Sequence, residues 1–337
     1  MPETVPINAN FHEVYYSEHY SKWLESKSER YKEYRKKWAD NPINFINEGY
    51  PLNLDIEASS SCNLRCPMCP HTINTNTKLS NKRHSMNFDF NMYKRLIDEA
   101  SDLGIYAIKL LWLGEPLMNS HIVDMVRYAK EKDIEDVILT TNAVLLSEEM
   151  SKGFVDAGLD KLYFSFDSHK KELYEKIRVG AEFDGVLQNI VRFHEIRNEM
   201  NSLSPTTRAA MVSMRDNRDS LEEYKSFFSK IVDVVAFYDY VDYEKDYAFL
   251  KKHKDIQFAC SELWQRLHVA ADGEIAICCF DHNAEIGIGN VRDMTIKEAW
   301  NSIELNRIRA QHQNMQWYNV NLCSRCPAVE FGTSGSV

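Results

Sequence analysis

Leu52-Asn53-Leu54-Asp55-Ile56-Glu57, followed by Ser61-Cys62-Asn63-Leu64-Arg65-Cys66-Pro67-Met68-Cys69-Pro70, sets a short alternating apolar run ahead of three closely spaced cysteines. The run reads as a β-strand and the cysteines as the loop at its carboxyl end. Three residues separate Cys62 from Cys66, and two separate Cys66 from Cys69. So compact a loop can wrap three corners of a cubane iron–sulfur cluster but supplies no fourth ligand. One iron is then open to a small chelating molecule, as a catalytic zinc keeps a free position that a structural zinc does not. The alternative is a structural zinc loop, whose usual form is a pair of CxxC halves.

Outward from this loop, apolar runs alternate with amphipathic stretches. Leu52–Glu57, Tyr106–Trp112, Asp136–Thr140, Lys161–Ser165, Arg208–Met214 and Val232–Tyr240 read as strands. Phe88–Ser101, His121–Lys132, Ser147–Ala157, Phe183–Met200 and Ser220–Lys230 read as helices. Regular alternation implies parallel strands joined by right-handed crossovers. Six units in roughly 190 residues fall short of the ~250 of a closed eight-unit barrel, so the expectation is an α/β fold with a partial (β/α)6 TIM-like barrel. Three regions follow: an N-terminal helical extension over 1–50, the barrel over 51–245, and a small C-terminal α+β domain over 246–337. In the first, Tyr16, Tyr20, Trp23, Tyr31, Tyr34 and Trp38 recur at helical spacing and read as a docking face.

Composition narrows the setting. The chain has 337 residues, 44% hydrophobic and 27% charged, enough to bury a sizeable core. No apolar run reaches membrane-spanning length, and Met-Pro-Glu-Thr-Val lacks a charged-then-apolar signal segment, so a cytoplasmic protein without a membrane partner is expected. Eight cysteines in a reducing compartment favour metal ligands over disulfides. A net charge of −10 argues against a broad nucleic-acid surface.

The cysteine spacing resembles the signature of the radical S-adenosylmethionine (SAM) superfamily. That resemblance implies that Cys62, Cys66 and Cys69 hold a [4Fe–4S] cluster whose open iron binds SAM. An electron from the cluster then splits SAM into methionine and a 5′-deoxyadenosyl radical. Other motifs stand in the family's order at successive strand ends, where a barrel keeps its chemistry. Leu113-Gly114-Glu115-Pro116 resembles Gly-Gly-Glu-Pro, implying Gly114 and Glu115 at the amino group of SAM, with Leu113 in place of the first glycine. Thr140-Thr141-Asn142 is similar to Thr-Asn-Gly, implying Asn142 as a SAM contact with Ala143 in the glycine position. Ser165-Phe166-Asp167 looks like Ser-x-Asp, implying Ser165 and Asp167 on the ribose side. Arg178 matches the arginine that pairs with the SAM carboxylate, a partner suited to a guanidinium fork. By residue type alone, Glu115 and Asp167 could equally be caps or solvated charges, and Arg178 a surface ion pair.

A second cysteine set follows the barrel. Seventeen residues separate Cys260 from Cys278, forty-four separate Cys278 from Cys323, and two separate Cys323 from Cys326. Four such cysteines can close every corner of a second [4Fe–4S] cluster, although CxxC also suits a zinc ribbon. Asp272-Gly273 reads as the turn of a hairpin leading to Cys278 and Cys279, and Thr295–Ser302 as a short helix bearing Trp300. The arrangement resembles the SPASM/twitch auxiliary domain, in its single-cluster twitch form, as in dehydrogenases of the 2-deoxy-scyllo-inosamine type. Cys279 is left over. It is either a small buried hydrophobe or a hydrogen-atom donor to a substrate radical, and which of Cys278 and Cys279 is the ligand stays open.

These resemblances imply a radical SAM oxidoreductase acting on a carbohydrate-like molecule (a sugar, nucleotide sugar or cyclitol), with a flavodoxin or ferredoxin as electron donor. A carbon radical beside a hydroxyl could pass its electron to the second cluster and become a ketone, or regain hydrogen on the opposite face as an epimer. Modification of a ribosomally made peptide and a non-catalytic zinc or cluster scaffold are the alternatives. Asp239, Tyr240 and Arg208 lie near strand ends without an assigned role.

Overall fold

A computed structural model describes residues 11–77, 85–243, 245, 247–252, 254–256 and 258–329. Among the described residues nine strands form one sheet in the order β1-β7-β6-β5-β4-β3-β2-β8-β9. They are β1 (Phe11–Tyr16), β2 (Asn53–Ile56), β3 (Ala107–Leu110), β4 (Asp136–Thr141), β5 (Lys161–Ser165), β6 (Thr206–Ser213), β7 (Val234–Asp239), β8 (Arg266–Val269) and β9 (Ile275–Ala276). From β2 to β7 every neighbouring pair is parallel and sequential. This is the open, partial barrel that the alternation predicts.

The helices are α1 (Glu18–Glu25), α2 (Glu29–Asn44), α3 (Pro70–Thr77), α4 (Phe90–Asp102), α5 (Ile122–Glu131), α6 (Glu148–Asp156), α7 (Lys171–Ile177), α8 (Phe183–Glu199), α9 (Leu221–Phe228), α10 (Ile296–Trp300) and α11 (Ile303–Gln313). Helices α4 to α9 carry the crossovers. One face of each strand packs its aliphatic residues against them: Leu54, Ile108, Leu139 and Leu162 join Tyr93, Met125, Phe154 and Phe193 in one buried cluster. Alternation sends the other face inward. That inner face carries Asp55, Lys109, Lys161, Arg208 and His268 beside the apolar Ile138, Ala210 and Val212, so the barrel lumen is of mixed polarity.

Among the described residues the N-terminal region is helical only from Glu18. Phe11–Tyr16 is a strand that pairs antiparallel with β7, which corrects at these six residues the expectation of a helical extension over 1–50. β7 would otherwise be an open edge, and Phe-His-Glu-Val-Tyr-Tyr has the aromatic and β-branched content that suits a covering strand. The aromatic stripe docks as its spacing suggests. Trp23, Tyr31 and Tyr34 are buried against Leu52, Tyr106 and Ala107, at the amino ends of β2 and β3. Lys161 Nζ, at the start of β5, lies 2.5 Å from Asp136 Oδ2 and 3.0 Å from Tyr31 Oη. The extension thus stoppers the amino end of the barrel, leaving the carboxyl end for chemistry.

Beyond the barrel, β8 runs parallel to β2 in register Asn53↔Arg266 to Ile56↔Val269, and turns back into β9. Gly273 lies in that turn at φ +86, so the Asp-Gly hairpin forms where expected. Thr295 and Glu298 form a capping box that starts α10, the short helix bearing the buried Trp300.

Candidate active site with two cysteine centres

Cys62, Cys66 and Cys69 sit in the loop between β2 and α3, the last two joined by a backbone bond from Cys69 N–H to Cys66 O at 3.1 Å. The loop is pressed onto the end of β3. Glu115 N–H donates to Ser61 O at 2.7 Å, and a Cβ built on Gly114 would lie 2.1 Å from Ser59 O and 2.6 Å from Ser61 O. Only glycine lets these backbones meet, so Gly114 faces the loop's own carbonyls.

Glu115 is buried and fully hydrogen-bonded. Its Oε1 accepts from Thr141 Oγ1 at 2.6 Å and from Leu117 N–H at 3.1 Å, and its Oε2 accepts from Asn142 N–H at 2.8 Å. Burial raises its pKa, against the pull of these donors. Asn142 in turn donates from Nδ2 to Asn63 Oδ1 at 2.9 Å, reaching the residue beside Cys62. Ala143, in the family's glycine position, adopts φ +60, a left-handed conformation uncommon for alanine.

On the opposite side, Asp167 is fully buried and its Oδ2 accepts from Arg178 Nε at 2.5 Å, while Oδ1 accepts from Val212 N–H at 2.8 Å. Asn217 Nδ2 bridges Asp167 O and Val212 O, each at 2.8 Å. Arg178 Nη1 is 3.9 Å from Cys66 Sγ. Burial works against the guanidinium charge, but the neighbouring Asp167 and Cys66 outweigh it and hold its pKa above the usual arginine value. Ser165 is half-buried at the end of β5, in register with Ala210.

None of the cysteines is in a disulfide. Among the described residues no three His, Cys, Asp or Glu side chains converge on a single-ion position. A cubane spreads its ligand sulfurs over the corners of a larger body, and three unpaired thiols on one short loop beside a buried guanidinium fit it. Burial pushes all three thiols up, Cys66 to about 11, a penalty that vanishes when metal replaces the proton.

The second centre gathers Cys260, Cys278, Cys279, Cys323 and Cys326. Cys326 N–H donates to Cys323 O at 3.1 Å, and Cys260 precedes a 3₁₀ turn over Ser261–Trp264. Burial raises every one of these thiols, Cys326 to about 12. Five cysteines for four corners fit a fully ligated cubane with one thiol over. Cys279 is gripped through its backbone: its N–H donates to Glu262 Oε2 and its carbonyl accepts from Trp112 Nε1, each at 3.1 Å.

Trp112 therefore ties the end of β3 to the second centre. Around it stand His282, with ring centres 6.5 Å apart, and then Phe280 and Tyr243. A buried polar chain makes the other connection. Asp55 Oδ2, on the strand that leads into the first cysteine loop, lies 3.1 Å from Arg266 Nη1 and 3.6 Å from His268 Nδ1. His268 Nε2 is then 3.2 Å from Glu262 Oε2. None of Asn63, Trp112, Glu262 or His268 stands out in the sequence, because each acts through a partner distant in the chain or by a side chain common in cores.

The radical SAM superfamily profile matches residues 56–228, and the SPASM iron–sulfur cluster-binding domain matches residues 260–327. Among curated proteins, a GTP 3′,8-cyclase of Limosilactobacillus fermentum is 27% identical over 231 residues, covering 66% of this chain and 60% of that protein. Another GTP 3′,8-cyclase, from Desulforamulus reducens, is 32% identical over 146 residues, 42% of each chain. The chain thus spans about half the length of the curated relatives it matches. Of solved structures, BtrN in complex with AdoMet and 2-DOIA aligns at TM-score 0.54 and 17% identity, over 83% of this chain and 94% of BtrN. Streptococcus suis SuiB bound to S-adenosylmethionine aligns at TM-score 0.63 and 16% identity, over 89% and 76%. At these identities the structures speak for the fold alone. With a profile matching half its length, three cysteines after the first barrel strand and a cluster-binding domain behind, the chain belongs to the radical SAM superfamily, binding SAM at one [4Fe–4S] cluster and carrying an auxiliary cluster in a SPASM domain.

Proposed function

We propose that this enzyme oxidises a secondary alcohol of a polyol-type substrate, a sugar, nucleotide sugar or cyclitol, to a ketone. The observation that carries the reading is the second centre. Four cysteines close a cubane completely, so that cluster offers no iron to a substrate and is suited to moving an electron. A SAM-binding cluster held by Cys62, Cys66 and Cys69 would supply the 5′-deoxyadenosyl radical chemistry that takes a hydrogen atom from carbon. The balance then requires that the hydroxyl proton leave to a base and the remaining electron pass to the auxiliary cluster. The polar side chains of the inner face support a hydroxyl-rich substrate. The inward cations Lys161, Arg208 and Arg266 are each held by a carboxylate, Asp136, Glu13 and Asp55 respectively. Lys109 in turn acts on the Asp55 carboxylate, which leaves little inward positive charge for a triphosphate.

In this reading Arg178 meets the SAM carboxylate with the part of its fork that Asp167 does not use, and Asp167, Glu115 and Asn142 hold the contacting backbone in place. Ser165 faces the ribose. The surroundings of a reducing cytoplasm and a flavodoxin or ferredoxin donor accord with thiol ligands and low-potential clusters.

A second reading, cyclisation of a purine nucleotide, is favoured by the printed activity of the curated relatives, GTP 3′,8-cyclase. One experiment separates the two. The reconstituted protein is given SAM, reductant and either cyclitols and sugars or GTP, in deuterium oxide. Oxidation should yield 5′-deoxyadenosine with a ketone two hydrogens lighter and no solvent deuterium at the attacked carbon, in wild type and in Cys279→Ala. A cyclised product from GTP would sink the alcohol reading, and deuterium delivered in a Cys279-dependent way would replace it with epimerisation.

A further inference from the structure

His312, on α11, is enclosed between two cysteine segments of the second centre. Its Nδ1 accepts the backbone N–H of Cys260 at 3.1 Å, and its Nε2 stands 3.3 Å from Cys323 Sγ. The side chain is completely buried, with Phe258 across one face at a ring-centre distance of 6.0 Å. A backbone amide can only donate, so Nδ1 keeps its lone pair and the single proton of a neutral imidazole sits on Nε2. Nε2 therefore has a hydrogen to give, and the sulfur is what it faces.

We infer that His312 is a positioning residue that donates its Nε2–H to the Cys323 thiolate and thereby sets the reduction potential of the auxiliary cluster. Hydrogen bonds to the sulfurs are among the factors that place a cluster within its wide range of potentials. Donation draws negative charge off the sulfur, which favours the reduced and more negative cluster and raises the potential. The same ring, by receiving Cys260 N–H, also fixes the segment that brings in another ligand, so the donor cannot swing away. The inference rests on Cys323 being a ligand and is independent of the substrate.

The test uses the full-length chain with Cys62, Cys66 and Cys69 changed to Ala, so that only the auxiliary cluster is present, titrated with reductant and followed by electron paramagnetic resonance. His312→Leu should make reduction about tenfold less favourable, a potential about 59 mV lower for a one-electron couple. His312→Gln, whose carboxamide both accepts and donates, should bring the potential back toward wild type. In protein labelled with ¹⁵N-histidine, the reduced wild-type cluster should show nitrogen hyperfine coupling that His312→Leu loses. An unchanged potential in a fully loaded His312→Leu protein overturns the inference. So does absence of the ¹⁵N coupling in wild type, which decides the matter even where the leucine variant takes up no cluster. A complete cluster retained in Cys323→Ala overturns it at the ligand, whatever substrate the enzyme proves to use.

Discussion

Arg178 shows how one side chain can be claimed from two directions. Asp167 holds Nε while Nη1 reaches toward Cys66, so the fork is oriented before any cofactor arrives. A charge-assisted contact of this kind contributes roughly 1.5–3 kcal/mol. Arg178→Ala should then weaken SAM binding about ten- to a hundredfold with both clusters retained, as calorimetry or equilibrium dialysis would show. Gly114 makes the steric counterpart. In Gly114→Ala the new methyl meets backbone oxygens rather than a yielding side chain, so the cysteine loop must shift. The expected result is loss of roughly half the iron and of SAM cleavage, with the fold retained by circular dichroism; full iron content would show that the loop tolerates the move.

What was legible at this scale had a local code. The three cysteines, Glu115, Asn142, Asp167 and Arg178 could be picked out because each lies in a short motif at a strand end. Their partners could not. Asn63 matters through Asn142, Glu262 through Cys279 and His312 through Cys323, and no spacing rule connects residues that only folding brings together.

Among the elements, the barrel strands and most helices follow their periodicity closely, whereas β1 does not. Six residues with mixed burial carry too weak an alternation to declare a strand, and the reason for one, an edge to cover, lies more than two hundred residues away on β7. The parallel pairing of β8 with β2, likewise more than two hundred residues away, escaped for the same reason. Asp233, just before β7, fastens this corner. Its Oδ2 takes Arg197 Nη1 at 2.5 Å and Thr207 N–H at 2.8 Å, its Oδ1 lies 3.1 Å from His19 Nδ1, and its carbonyl accepts Ser17 N–H at 2.8 Å. Burial alone would raise its pKa, but the bonds from His19 and Arg197 prevail and hold the carboxyl well below its ordinary range. A depressed carboxylate pKa means stability that is present above the unfolded value and is lost as pH falls through the folded one. Asp233→Ala should cost about 3–5 kcal/mol in urea unfolding near neutral pH, because it strands the buried Arg197 charge. It should also flatten the acid limb of the stability profile; an unchanged limb would place the acid-labile group elsewhere.

For the molecule as a whole, the proposal that seven cysteines in two groups are ligands implies two cubanes, and anaerobically reconstituted protein should hold about eight iron atoms per chain. Changing Cys62, Cys66 and Cys69 together to Ala should halve that number and abolish SAM cleavage. Cleavage surviving in this variant would place the catalytic cluster elsewhere. No helix among the described residues is long and apolar enough to cross a membrane. The pairing of β8 with β2 has a further consequence, for biosynthesis. The strand that leads into the loop of Cys62, Cys66 and Cys69 leaves the ribosome early, yet one whole side of its backbone has no mate until Arg266–Val269 has been made. Through that interval Asn53–Ile56 is an unpaired, apolar-faced border of the sort that recruits other chains. A protein cut short before Cys260 would keep that border for good, so it should accumulate as aggregate rather than as a free-standing barrel, and the auxiliary domain acts on its own nascent chain as the piece that closes the sheet.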